Sequence, residues 1–138
     1  MIFTDHISKQ FDADLEAVRA RVLQMGGLVE SQILEAIHAL QSGDLEHIER
    51  VILQDSKVND LEVAIDNDCQ NIIARRQPAA SDLRMVLTII KTITDLERIG
   101  DEAQKIARIA RTIHESGRIN APRFSEIKHV SELVVDML

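Results

Sequence analysis

The chain has 138 residues, of which 45% are hydrophobic, enough for one domain with a sizeable core. Aromatic residues, which stack on bases, make up only 2%, and the formal net charge is −7, whereas phosphate backbones are bound by clustered Lys and Arg. Both values argue against a nucleic-acid partner. The single cysteine, Cys69, excludes a disulfide framework and favours a reducing compartment, and no segment approaches the roughly 20 apolar residues needed for direct membrane insertion.

The first predicted element is one long amphipathic helix from Asp5 to Gln41. Apolar residues recur there mostly at steps of three and four, which is the spacing of a single helical face. The pair Gly26-Gly27 lies in its middle and costs roughly 1–2 kcal/mol of helix propensity. We interpret the pair as a point of close packing against a neighbouring helix.

Two further long helices follow, each with clear boundary signals. Ser42-Gly43-Asp44 ends the first helix and begins the second, because glycine suits the position after a helix and aspartate suits the N-cap. The second helix is predicted to run to about Arg76, and the sequence does not decide whether it is broken near Asp55-Ser56. Gln77-Pro78 ends it, since the residue before proline is disfavoured in the helical conformation. The third helix runs from near Ser81 and Asp82 to Ser116.

The predicted fold class is all-α, an antiparallel three-helix bundle with the start of a fourth helix. The bundle covers residues 1–117, a linker covers 118–123, and a fourth helix occupies 124–138. The last segment ends in the apolar sequence LVVDML without a capping residue. We therefore expect this chain to be part of a longer protein, or its last helix to pack against another chain.

Acidic residues interrupt the apolar stripes of the second and third helices. The first stripe is Val51, Asp55, Val58, Glu62, Ile65, Cys69, Ile72, and the second is Leu83, Leu87, Ile90, Thr94, Glu97, Asp101, Gln104. When the two helices fold back on each other about Pro78, Glu97 lies level with Glu62. Asp101 lies one turn further on, with Asp55 just beyond and Asn59 able to reach the same level from the side.

These carboxylates cannot all remain ionised and unpaired, because like charges about 4 Å apart repel by several kcal/mol. Neutralisation by Arg98, Lys57 or Lys105, a position at the solvent rim, or a bound cation would each relieve the repulsion. The matched interruptions favour the cation, although Glu-x-x-x-Asp alone is common on wetted helix faces. The predicted metal ligands are Glu97, Asp101, Glu62, Asp55 and Asn59, an oxygen set that suits Mg²⁺, Mn²⁺ or iron better than zinc.

Other motifs have ordinary explanations. Arg75-Arg76 could bind a phosphate, but such a pair more often stabilises the C-terminal end of a helix dipole, which is the interpretation favoured here. No glycine-rich phosphate loop and no nucleophile–base constellation is present, so no catalytic residues are predicted. The Glu-x-x-His pair of oxygen-activating di-iron bundles is also missing around Glu97 and Glu62.

Three stretches together carry more information than periodicity. They are IARRQPAASDLRMVLTIIKTITDLERIGDEAQKIA at Ile73–Ala107, QMGGLVESQILEAI at Gln24–Ile37 and DSKVNDLE at Asp55–Glu62. The residues of these stretches, and their order along the chain, resemble those of the PhoU family, accessory regulators of bacterial phosphate-specific transport. The resemblance implies two similar three-helix bundles in tandem, with residues 1–117 as the first repeat and 124–138 as the first helix of an incomplete second repeat.

The resemblance also implies a site and a role. Glu97 to Asp101 matches the family's metal-binding motif on the third helix, and Asp55, Asn59 and Glu62 match the acidic pattern that faces it. Family members are non-enzymatic negative regulators of the phosphate-starvation response. They are expected to contact the transporter ATPase PstB and the sensor histidine kinase PhoR at the cytoplasmic side of the inner membrane. A homodimer and a cytoplasmic location are expected on the same ground.

Two other functions remain open from the residues alone. The first is a carboxylate-bridged di-metal enzyme, an oxidase or a hydrolase, built in a helical bundle. The second is a plain surface arrangement in which Glu97 and Asp101 pair with Arg98 and Lys105 and bind no metal.

Overall fold

The computed structural model describes the backbone of residues 2–116 and 121–137, and the side chains of residues 9–116 and 129–137. The described residues form four α-helices. They are α1 (Ile2–Ser42), α2 (Leu45–Arg76), α3 (Ala80–Ser116) and α4 (Ala121–Met137). No strand occurs in the described residues, so the all-α prediction is confirmed. Helix α2 is continuous through Asp55-Ser56, and no described helix has an apolar run that could cross a lipid bilayer.

Contacts between polar side chains fix the direction of each helix. Arg76 pairs with Asp14 and Arg21 with Asp68, so α1 and α2 are antiparallel. Likewise α2 and α3 are antiparallel, because Arg111 Nη1 donates to Glu49 Oε1 at 3.0 Å and the Gln104 amide donates to the Ile52 carbonyl. The three long helices therefore form the predicted up-down-up bundle, with all three pairs in extensive contact.

The bundle core follows the predicted stripe on α2 but a different one on α3. On α2 the stripe is buried as expected, and only Glu62 is half-buried. On α3 the buried residues are Val86, Ile93, Leu96, Gly100, Ala103, Ala107 and Ala110. The predicted α3 stripe was wrong: Leu87 is exposed, and its other members lie half-buried at the edge of the core. Glycine and alanine form the C-terminal half of the buried stripe, where their small size allows the helices to approach closely.

Both inter-helix turns end their helices where the sequence predicts. Gly43 adopts φ +69°, which suits the residue after a helix, and Asp44 Oδ1 accepts a hydrogen bond from the Glu46 backbone N–H at 3.0 Å. Gln77 ends α2 in a left-handed conformation (φ 44°, ψ 59°) rather than the extended one expected before proline. A side chain on Gly43 would collide with the ring of His114 at the end of α3.

Close packing occurs at a different glycine from the one predicted. A Cβ atom added to Gly26 or Gly27 would meet nothing within 4 Å, so the interpretation of that pair as a helix contact was wrong. A Cβ on Gly100 would instead lie 2.8 Å from Gln32 Oε1. Gln32 is fully buried, and neither of its amide atoms bonds to another described residue. The absent side chain at Gly100 provides the space that Gln32 fills.

Helix α4 begins at Ala121, three residues before its predicted start, while residues 118–120 of the predicted linker lie outside the described part. It packs against α1, with Ser131 buried and Val134 and Val135 against the core. The side chains of residues 129–137 therefore pack against the bundle of their own chain.

Substituting either central glycine of α1 with alanine should stabilise the protein. Both residues have helical backbones and open space, so Gly26→Ala and Gly27→Ala are each expected to raise the free energy of unfolding by about 1 kcal/mol. Gly43→Ala is the matched control and should destabilise, because it combines a positive φ with a collision against His114. Urea unfolding of the three variants measures this, and a loss of stability in both α1 variants would contradict it.

Candidate metal centre

Among the residues whose side chains are described, the buried acidic residue is Asp55, in the middle of α2. Its side chain is 8% exposed although carboxylates are rarely buried without a partner. The Asn59 amide, one turn along α2, donates to Asp55 Oδ2 at 3.4 Å. Oδ1 is buried and receives no hydrogen bond from the described residues. Asp55 therefore carries an acceptor oxygen that is withdrawn from water and unsatisfied.

Glu62 on α2 and Glu97 on α3 are near enough for the charge of Glu97 to act on Glu62. Burial raises the pKa of the Glu62 carboxyl, and the negative charges of Glu97 and then Asp66 raise it further. Both carboxylates lie half-buried at the boundary of the core. This interaction between like charges agrees with the predicted placement of the two residues at one height of the α2–α3 interface.

Asp101 has a different neighbour in this structure. Its Oδ2 lies 3.4 Å from Lys105 Nζ, and the same ammonium lies 3.2 Å from Glu102 Oε1. Hydrogen bonds to Glu102 and Asp101 raise the pKa of Lys105. The plain surface arrangement is thus realised for Asp101 and Lys105, whereas no ion pair joins Glu97 to Arg98 among the described residues.

The five predicted ligands are therefore brought together only in part. The Asn59 amide contacts Asp55, and the charge of Glu97 acts on Glu62, while Asp101 faces Lys105. Within residues 9–116 and 129–137, no group of three or more His, Cys, Asp or Glu side chains stands close enough to hold a metal ion. The metal centre remains a prediction.

The chemistry of the donors fits a hard cation. An unsatisfied buried oxygen on Asp55 and an ionised Glu62 opposed by Glu97 are both relieved by positive charge. For all five residues to bind one ion, two features would have to change. Lys105 would have to release Asp101, and Asn59 would have to turn its carbonyl oxygen rather than its amide nitrogen toward the ion.

Sequence reasoning missed Gln32, a buried polar residue close to Gly100 of α3. It reaches the centre of the bundle from α1, next to Gly100, which directly precedes Asp101. Ile33 continues the apolar spacing between Val29 and Ala36, so no local signal in the sequence marked its polar neighbour Gln32 as a core residue. Both Gln32 and Ile33 are buried.

The fold defines a class: an all-α bundle protein with acidic side chains along the contact between α2 and α3. We call this contact the acidic interface; its acidic residues are Asp55, Glu62, Glu97 and Asp101. The family model described as the PhoU domain matches residues 22–110. A PhoU homolog of Pseudomonas putida, named a phosphate-specific transport system accessory protein, is 48% identical over 98% of this chain and 52% of its own length. The accessory protein PhoU of Escherichia coli is 47% identical over 96% of this chain and 54% of its own length.

The structure comparison agrees. The crystal structure of PhoU from Pseudomonas aeruginosa superimposes with a TM-score of 0.86 at 47% identity, over 92% of this chain and 60% of that one. This chain belongs to the PhoU family. It spans about half the length of the curated relatives it matches.

Removing the Glu62 charge should stabilise the bundle at neutral pH but not in acid. The folded state raises the pKa of Glu62 above its ordinary value of 4.5, so the folded protein binds this proton more tightly than the unfolded chain does. The resulting penalty is fully present above the folded pKa and disappears as the pH falls below 4.5. In buffer with excess EDTA, so that no bound cation contributes, Glu62→Gln should therefore raise the Tm at about pH 7 and leave it unchanged near pH 3.5.

Glu30→Gln, at an exposed position on α1, is the matched control and should change the Tm little at either pH. Thermal unfolding followed by circular dichroism measures all three proteins. A Glu62→Gln variant with the same or a lower Tm than the wild type at neutral pH would show that this carboxylate is not under electrostatic strain.

Proposed function

We propose that this chain is a non-enzymatic accessory module of a phosphate-specific transport system and a negative regulator of the phosphate-starvation response. The observation that carries the proposal is its 46–51% identity, over nearly its whole length, to proteins named phosphate-specific transport system accessory proteins. An accessory role also agrees with the sequence, which contains no nucleophile–base constellation.

Protein–protein contact is the proposed mode of action. Several large apolar side chains on the three long helices face solvent, including Leu23 at 78%, Leu53 at 68% and Val63 at 60% exposure. Exposed apolar residues of this kind suit contacts with protein partners. The proposed partners are the transporter ATPase PstB and the sensor histidine kinase PhoR, met at the cytoplasmic face of the inner membrane. A homodimer is proposed on the same basis.

A carboxylate-bound cation is proposed to stabilise the α2–α3 interface. Asp55, Glu62, Glu97 and Asp101 would hold it, with Asn59 as a neutral ligand, and the ion would supply positive charge between acidic side chains that otherwise repel. Mg²⁺, Mn²⁺ and iron suit these oxygen ligands better than zinc does. The role proposed for the ion is to fix the relative position of α2 and α3, and with it the surface that partners contact.

The regulatory role is tested by expressing the chain in phosphate-rich medium in a bacterium that lacks its own accessory protein and carries a phosphate-starvation reporter. We expect the reporter signal to fall, and purified chain to bind the cytoplasmic part of the sensor kinase or the transporter ATPase. An unchanged reporter together with no binding to either partner would overturn the proposal. Normal helix content by circular dichroism would show that the chain had folded.

The metal centre is tested by the double variant Glu97→Gln with Asp101→Asn. The variant removes two carboxylates one helical turn apart and should lower Mn²⁺ binding at least tenfold with helix content unchanged, because carboxylate charge dominates affinity for hard cations. Titration calorimetry with Mn²⁺ and elemental analysis of the purified protein measure this.

The matched control for that experiment is Asp12→Asn with Glu16→Gln. These residues form an exposed carboxylate pair at the same spacing on α1, distant in sequence from the predicted ligands. The control should keep wild-type Mn²⁺ binding. Equal binding by both double variants would place the bound ion outside the α2–α3 interface.

A further inference from the structure

An arginine-lined cleft opens between α1 and α2, away from the acidic interface. It has a volume of about 280 Å³, and three arginines line it: Arg21 from α1, and Arg75 and Arg76 from the last turn of α2. Two aspartates, Asp14 and Asp68, also line it, so the cleft carries one positive charge in excess. A net positive cleft is unusual on a chain whose formal net charge is −7.

The ion pairs of the cleft hold two of its guanidinium groups in place. Arg76 Nε lies 2.9 Å from Asp14 Oδ2, and Arg21 Nη1 contacts Asp68 Oδ2. Because α1 and α2 are antiparallel, each helix contributes one aspartate and one paired arginine, separated along it by seven or eight residues. The pairs therefore bridge the cleft at two heights. Each arginine is oriented by a partner on the opposite helix, which reduces the side-chain entropy lost when a ligand binds.

Most donors of these groups remain available. A guanidinium carries five N–H donors, and Arg21 and Arg76 each use one nitrogen in the contact with aspartate. Arg75 forms no hydrogen bond or ion pair with any described residue, and it is exposed. Asn71, one turn before Arg75, also lines the cleft and adds an amide donor. Donors thus outnumber acceptors in the cleft.

The contacts of Arg76 differ from those of an ordinary helix cap. Arg75 and Arg76 do lie in the last turn of α2, where positive charge is favourable. The hydrogen bond of Arg76, however, reaches Asp14 on α1 rather than a carbonyl of its own helix. The dipole explains a preference for basic residues here, but not why three arginines converge on one cleft between two helices.

We propose that this cleft binds a phosphate-class oxyanion, either free inorganic phosphate or the phosphoryl group of a monoester. Planar guanidinium groups match the paired oxygens of phosphate, and Arg75 supplies the unpaired positive charge. The tetrahedral anion is preferred to a single carboxylate because it offers acceptor oxygens in several directions, toward donors on both helices. The site is separate from the proposed metal centre and does not depend on the proposed regulatory role.

The test titrates the full chain, at low ionic strength, with inorganic phosphate, phenyl phosphate and acetate. Binding is measured by calorimetry and by the Nε–H resonances of arginine in NMR spectra. We expect saturable binding of phosphate or phenyl phosphate, with shifts of the Arg21, Arg75 and Arg76 resonances, and at least tenfold weaker binding of acetate. The tighter of the two phosphate ligands identifies the source of the group.

Arg75→Gln should weaken that binding about tenfold, since it removes the unpaired guanidinium. Arg75→Lys should be intermediate, because it retains the charge but loses the planar group. Arg108→Gln, at an exposed arginine on α3 that lies outside the cleft, is the matched control and should bind like the wild type. No saturable binding to the wild-type chain, or equal losses in the Arg75 and Arg108 variants, would overturn the proposal.

Discussion

The packing of the bundle depends on a narrow row of glycine and alanine along the inner side of α3. Gly100, Ala103, Ala107 and Ala110 are buried against the two other long helices, where larger side chains would hold the backbones apart. This row sets the rotation of α3 about its own axis. That rotation places Glu97 at the boundary with α2, opposite Glu62, and leaves Asp101 beside solvent and Lys105. The acidic interface is thus a consequence of how tightly α3 packs.

Much of the fold could be predicted from the sequence because its boundary signals are local. Gly43, Asp44 and Pro78 act within one turn of chain, and the apolar stripe of α2 consists mainly of large residues that periodicity detects. The rotation of α3 could not be predicted in the same way. Alanine and glycine add little to an apolar count, whereas Leu87 counts strongly and yet faces solvent. The interpretation of Gly26-Gly27 as a helix contact was wrong for a related reason, because a glycine pair does not reveal whether a neighbouring helix is close.

The sequence predicted which candidate ligands lie at the same height along the bundle. It was less able to predict the direction in which each side chain points. Glu62 and Glu97 lie at about the same height whichever way α3 rotates by a fraction of a turn, and the charge of Glu97 acts on Glu62 in the structure. Asp101 and Lys105 lie on the same helix, and their ion pair competes with any ligand role for Asp101. The arginine cleft was only partly visible, because Arg21 joins Arg75 and Arg76 through the pairing of α1 with α2. No local pattern records that pairing.

The contact between Gln32 and Gly100 has a consequence for how this chain can vary. A methyl group at position 100 would lie 2.8 Å from the amide oxygen of a fully buried glutamine, so the end of the Gln32 side chain would have to move to admit it. The two positions are therefore sterically linked, although 68 positions separate them in the sequence. Alanine at position 100 should therefore be better tolerated in a relative that carries a shorter side chain at position 32. This co-variation would report the α1–α3 spacing from sequences alone.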